Sequence, residues 1–450
     1  MKNSTIFLIL VFCINIFAFS QEVEPSRLAT IKYGTETEIA ALIQSLKTEN
    51  ADYLDNELVT LIDDTRNQKI LNGVFTFFGD REKGGLEDRA VRAIEERDEE
   101  ANETVLAAID YLGKVKAAKS VPVLMELLDT QERRFMNPAF RALGRAGSAS
   151  KELADEAADY LINYFSNRDP GDENRREVIV SIGTTGSING VSFLAEIAAD
   201  NDERLSLRTA ALEGLSKVGD PGGLEAVLGC VAAADPNIRS AAIAALGPFS
   251  GDEVDKAILD AFRDSYYRTR IAAAQASRER QFAAAVPYLK FRAERDDVPN
   301  VKDEAIRALG AIANNDALGA LSDLFAERKN SDRVRLASAE MLMKNDAANY
   351  FGKVIIELDE AKLKNHTALY NGFLKVVGEA KTGGDTREIE NIARRFLQSG
   401  GIVEKLYGLD MAANNNLKGL SQEIKVQLND RNEGLSRKAR RTAEILGIEI

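Results

Sequence analysis

At 450 residues the chain is longer than one hydrophobic core usually serves, which predicts several domains or a repeat array. The formal net charge of −13 argues against a nucleic-acid binder, whose footprint is basic, and reads first as solubility. With 9 prolines and no tryptophan, a chain rich in Ala and Leu suits stacked helices rather than an all-β array.

Residues 1–20 pair Lys2 with an apolar run from Ile6 to about Phe19, and Ala18-Phe19-Ser20 before Gln21 fits a small-x-small cleavage site. This predicts a secretory signal, too short for a stable membrane span. A lipoprotein signal with Cys13 as the lipidated residue is disfavoured by Phe12, where a small residue is required. Residues 21–34 are polar and contain Pro25, which reads as a linker. Helical periodicity then predicts Thr35–Lys47 with Asp52–Asp63, and Asn67–Phe78 with Leu86–Arg97, as divergent repeats over 35–102. The charge run 95–103 reads as a solvated turn with acids facing a helix start.

From Glu103 the repetition is explicit. The first helices close on Gly113, Gly144, Gly183, Ser216, Gly247, Arg278, Gly310 and Met343, at steps of 31 to 33 residues except for one of 39. The long step carries the turn-rich insertion Asn167–Asn174. Each closing glycine is read as a helix stop. Near each helix start a two-residue step ending in a cation recurs: Leu207-Arg208, Ile238-Arg239, Thr269-Arg270, Val301-Lys302 and Val334-Arg335. Asp235 and Asp264 are placed to cap helix amides. Pairing of the cations with carboxylates of a neighbouring repeat is the structural reading; anion binding is the alternative. The array spans 103–344. Divergent repeats and a capping helix at Leu435–Leu446 fill 345–450, making about twelve helix pairs.

The pattern D-P-x-I-R-x-x-A-x-x-A-L-G at Asp235–Gly247 and the V-P-x-L starts at Val121–Leu124 and Val286–Leu289 resemble HEAT-like repeats. More narrowly, they are similar to the short bacterial HEAT repeats also found in phycobilin lyases. The resemblance implies an all-α, right-handed superhelical solenoid and protein binding as its usual role. It does not identify an activity.

No catalytic constellation accompanies the repeats. The single histidine, His366, excludes HExxH zinc chemistry and multi-histidine iron sites. No phosphate-binding glycine motif follows a strand pattern, so neither cofactor nor metal is expected. Cys230, in an apolar helix, reads as a small buried hydrophobe. Scattered carboxylates are expected by chance on charged helices, and a non-enzyme is the reading.

The second helices, aligned on V-P-x-L, place Val123, Tyr160, Phe193, Ala226, Lys256, Tyr288 and Ala320 in one column. Glu126, Glu196, Gly229 and Phe291 lie one turn on, and Leu124, Leu161, Leu194, Val227, Leu289 and Leu321 should point inward. The resemblance puts this column on the concave side. Tyr160, Phe193, Tyr288 and Phe291, with Lys256, Glu126 and Glu196, are therefore the candidate partner-binding residues. The alternative is that the rings pack between consecutive second helices. The function expected is that of an exported, periplasmic or secreted scaffold or adaptor for a protein partner. The runner-up is a lyase-like or chaperone-like module cradling a hydrophobic ligand or unfolded client. The basic face Arg437, Lys438, Arg440 and Arg441 reads as a polar cap, with weak contact to an anionic membrane surface as the sharper alternative.

Overall fold

The computed structural model describes residues 25–168, 170–381 and 386–449. The expected signal segment and Cys13 lie outside them. The described residues form 25 α-helices and no strand, and none of those helices is long and apolar enough to cross a membrane. Two compact units divide at Ser187/Ile188.

In the first unit, α1 (Pro25–Tyr33) precedes α2 (Glu36–Glu49) and α3 (Asp55–Asp64), then α4 (Gln68–Asp80) and α5 (Glu87–Glu95). Next come α6 (Asn102–Lys114) with α7 (Ser120–Asp129), α8 (Arg133–Gly147) with α9 (Lys151–Asn167), and α10 (Asp172–Thr185). The second unit opens with α11 (Val191–Ala199). It continues with α12 (Leu205–Val218) and α13 (Leu224–Cys230), α14 (Pro236–Ala245) and α15 (Asp252–Ala261), and α16 (Tyr267–Glu279) and α17 (Val286–Arg295). Then follow α18 (Pro299–Ile312) with α19 (Asn315–Ala326), and α20 (Asp332–Leu363), which breaks at the non-helical Asp346 and so supplies both helices of its pair. The unit ends with α21 (Thr367–Gly378) and α22 (Arg387–Leu397), α23 (Ile402–Asn414) and α24 (Ser421–Gln427), and α25 (Glu433–Leu446).

Side-chain caps set several starts. Thr35 closes a reciprocal capping box with Glu38, Asn67 caps α4, Asp235 caps α14 through the Asn237 amide, and Ser331 caps α20. Within each unit the first helices stack in series, α4 on α6 on α8 on α10 and α12 on α14 on α16 on α18. Each pair buries its inward stripe against the next, and this is where the core sits.

Two expectations are corrected. Residues 25–33, read as linker, form α1: Pro25 starts it, Ile31 is buried, and Arg27 binds both carboxylate oxygens of Glu49 at 2.7 and 2.9 Å and the Tyr53 hydroxyl at 2.6 Å. The short segment is helical because the first hairpin offers it a surface, a long-range effect that local polarity does not reveal. Of the repeated glycines, Gly247 stands just past the end of α14, as a helix stop should, whereas Gly183 and Gly310 lie within α10 and α18. Gly113 and Gly144 lie inside α6 and α8, and a Cβ on Gly144 would meet the Ser181 backbone oxygen of α10 at 2.7 Å. They are the points where consecutive first helices approach backbone to backbone.

Candidate partner-binding site

The second helices begin where a proline costs nothing. Pro287 sits in the first turn of α17, whose amides have no intrahelical acceptor, and a 3-10 turn at Ala283–Ala285 leads into it. With that start fixed, the inward column follows: Leu124, Leu161, Leu194, Val227, Leu289 and Leu321 are all fully buried. The neighbouring column must therefore face away from its own first helix.

In the first unit, Glu126 is exposed on α7 and Tyr160 is half-buried on α9. The Tyr160 hydroxyl donates to the Met125 carbonyl at 2.9 Å and lies 2.6 Å from Asp129 Oδ1, so the ring spans α9 and α7. Burial first, and then the Asp129 carboxylate, push its ionisation up. In the second unit, Phe193 is half-buried on α11, and Glu196 and Lys256 are exposed on α11 and α15. Tyr288 stacks on Phe262 with centroids 5.7 Å apart and has the Arg263 guanidinium 5.2 Å from its ring. Phe291, one turn on, is 54% exposed with Arg292 beside it. Tyr288 and Phe291 meet at one cleft of about 290 Å³, lined also by Arg263, Pro287 and Arg292. Lys256 does not line that cleft.

The cation row of the second unit is bound into the stack. Arg239 grips Asp264 with Nε and Nη2 at 2.8 and 3.1 Å and donates Nη1 to the Ala233 and Ala234 carbonyls. Arg270 repeats this with Asp296 at 2.7 and 2.8 Å and the Asp264 and Ser265 carbonyls. Lys302 donates to the Glu294 carbonyl, and Arg335 to the Phe325 carbonyl and Glu357. Lys302 and Arg335 thus satisfy open C-terminal carbonyls of the preceding second helix, while Arg239 and Arg270 satisfy carbonyls of the loop that follows it. Asp264 and Asp296 also accept from the Tyr266 and Val298 amides two residues on, so each acid shapes the entry to the next first helix.

These rungs make stability pH-dependent. The Arg239 hydrogen bonds hold the Asp264 carboxyl below its usual range; at Asp296, burial pushes upward but the bonds from Arg270 and Val298 prevail, so the net shift is also down. A depressed carboxyl contributes stability that is present above its unfolded value, about 3.9, and lost as the pH falls through the folded value. The urea midpoint is therefore expected to be level from neutral pH to about pH 4 and to fall below it. In Asp264→Asn the acid-side fall should be shallower; an identical pH profile would remove Asp264 from this account.

A second surface feature lies between α11 and α13. A groove of about 1020 Å³ is floored by Ala195, Ala199, Ala226 and Gly229 and rimmed by Glu196, Glu225, Asp235 and Arg208. Cys230, buried as expected and directed at the Ala198 carbonyl at 3.4 Å, forms part of its wall.

Residues 31–442 match the model of the spirochaete HEAT repeat proteins. The chain belongs to that family. No curated protein matches its sequence. Among similar solved structures, Kap121p has 13% identity and a TM-score of 0.45, over 96% of this chain and 53% of that one. Importin beta in an ammonium sulfate condition has 14% identity and a TM-score of 0.47, over 94% and 62%. The chain thus spans roughly half to three-fifths of the length of these proteins.

Within this HEAT framework, the aromatic column and Arg208 are both legible in the repeat, whereas the groove beside Arg208 is not. Ala226 and Gly229 stand in the same two columns as Tyr288 and Phe291. Their small size is the signal that was available. Among the described residues no group of three or more His, Cys, Asp or Glu side chains is arranged to hold a metal ion.

Proposed function

We propose that this HEAT-repeat chain is an exported scaffold or adaptor that holds a protein partner along the outer faces of its second helices. The observation that carries the reading is the cleft at Tyr288 and Phe291. A phenylalanine left 54% exposed beside a tyrosine and two arginines has the composition of an interface anchor and is costly to leave in water. A polypeptide is favoured over a small hydrophobic ligand because the larger groove is rimmed by charges rather than lined by large apolar side chains. The acidic balance of the chain supports a partner other than nucleic acid. His366 supports a non-catalytic reading: it stands exposed at the start of α21, its Nε2 3.0 Å from Asp332 Oδ2. On α25, Lys438 is held by Asp410 at 2.6 Å while Arg437, Arg440 and Arg441 are exposed, an arrangement compatible with a polar cap. Export rests on the composition of residues 1–20, and the mature chain is placed near Gln21.

In-cell crosslinking followed by recovery from the envelope fraction tests both parts. The recovered chain should begin near Gln21; retention of residues 1–20, or a lipid on Cys13, would sink export. Phe291→Ala should leave the melting temperature within a few degrees while capture of the partner falls by about 2 kcal/mol or more in affinity. Tyr160→Ala should instead cost about 2 kcal/mol of stability, because it removes a ring and a hydroxyl bonded to α7. Unchanged capture in Phe291→Ala would take that cleft out of the interface.

A further inference from the structure

The groove between α11 and α13 contains an open rung in the cation row. Arg208 is only 9% exposed, and its Nε donates to the Ala198 carbonyl at 3.0 Å. Among the described residues its two η nitrogens have no hydrogen-bond or ion-pair partner. Its counterparts Arg239 and Arg270 are closed on all sides, by an aspartate and by two carbonyls each. Asp235 stands two residues beyond the place that Asp264 takes relative to Arg239, and its Oδ1 is taken by the Asn237 backbone and side-chain amides, with no ion pair to Arg208. The acid that closes the other two rungs is absent here: Ala233 stands where Asp264 and Asp296 stand, six residues before the next cation. The two unused donor groups open into the groove, where water or a bound group can supply their acceptors.

We propose that this groove holds an extended, basic polypeptide segment, with a backbone carbonyl on the Arg208 guanidinium and a backbone amide on Asp235. The proposal rests on the partner-binding reading above and names where and how the partner is gripped. Three features select this occupant. The floor of Ala195, Ala226 and Gly229 has no side chain beyond a methyl, so a backbone can approach closely. Three carboxylates, Glu196, Glu225 and Asp235, surround the one guanidinium, which repels an anion but suits a neutral amide flanked by lysine or arginine side chains. An extended segment brings unused amides and carbonyls, whereas a helix has satisfied its own and would leave Arg208 without an acceptor.

The test uses the full chain and fluorescein-labelled peptides of about ten residues: alternating Lys-Ala, alternating Glu-Ala, and the Lys-Ala peptide with its backbone nitrogens N-methylated. The Lys-Ala peptide should bind, the Glu-Ala peptide should not, and N-methylation should weaken binding by about tenfold or more. A Cβ at Gly229 meets nothing within 4 Å, so Gly229→Leu fills the groove without changing charge or disturbing the stack. That variant should also lose about tenfold or more. Arg208→Gln should weaken binding similarly, and Gly229→Leu keeps the test valid if Arg208→Gln folds poorly. Equal binding by wild type and Gly229→Leu, tighter binding of the Glu-Ala peptide, or indifference to N-methylation would each overturn the proposal. If the crosslinked partner is captured equally by wild type and Gly229→Leu, the groove fails while the scaffold reading stands. If the Lys-Ala peptide binds in the groove but no partner is crosslinked in cells, the scaffold reading fails instead.

Discussion

Asp296→Ala destabilises the second unit by about 3–5 kcal/mol, because it strands a buried guanidinium rather than removing a surface charge. The side chains of Arg270 and Asp296 are 8% and 0% exposed, and two parallel hydrogen bonds of 2.7 and 2.8 Å join them. Without the carboxylate, Arg270 keeps the Asp264 and Ser265 carbonyls and its 3.3 Å contact with Asp297, whose own side chain is 91% exposed and solvated. The Val298 amide also loses its acceptor at the entry to α18. Stability in a stack is a sum of local terms, so the loss should appear first as faster amide exchange in α16 to α18, with a smaller effect on helices further along. Replacing both residues, Arg270→Met with Asp296→Leu, should recover much of the loss because no charge is then left unpaired. A loss below about 1 kcal/mol in Asp296→Ala, the level of an exposed pair, would mean that water reaches Arg270.

Gly144→Ala should destabilise the first unit by about 1–3 kcal/mol, opposite in sign to the usual gain of about 1 kcal/mol for alanine over glycine inside a helix. The added methyl would stand 2.7 Å from the Ser181 carbonyl oxygen and 3.0 Å from its Cα, both backbone atoms of α10. No rotamer change relieves that contact; α8 and α10 must separate. Gly113→Ala meets the Ala142 Cα at 2.9 Å and should act the same way. Gly229→Ala is the control: its methyl enters open space, so only the propensity gain remains and stability should rise slightly. If urea denaturation gives Gly144→Ala and Gly229→Ala the same sign, the close approach of the first helices is not what holds that glycine in place.

The residues legible beforehand share one property: their environment repeats. Leu124, Leu161, Leu194, Val227, Leu289 and Leu321 recur at corresponding places in successive hairpins, and all are fully buried. The cation row was legible for the same reason, and so was its pairing with carboxylates of a neighbouring repeat: Asp264, before α16, binds Arg239 of α14. Of the candidate contact residues, Tyr288 and Phe291 share one cleft, Tyr160 is tied to α7, and Glu196 rims the groove beside Arg208. That groove is not written in the repeat pattern, because it is made by the side chains missing at Ala226 and Gly229.

By itself, then, the sequence determined the hairpin unit, its period, the inward stripe and the family, because apolar spacing and turn chemistry act within a few residues and are written locally. Only the tertiary structure decided the role of the glycines, the helical state of Pro25–Tyr33 and the open rung at Arg208. Each depends on a distance between backbones tens of residues apart. The separation of Gly144 from Ser181 is set by how neighbouring helices settle on one another, and no local propensity encodes that spacing.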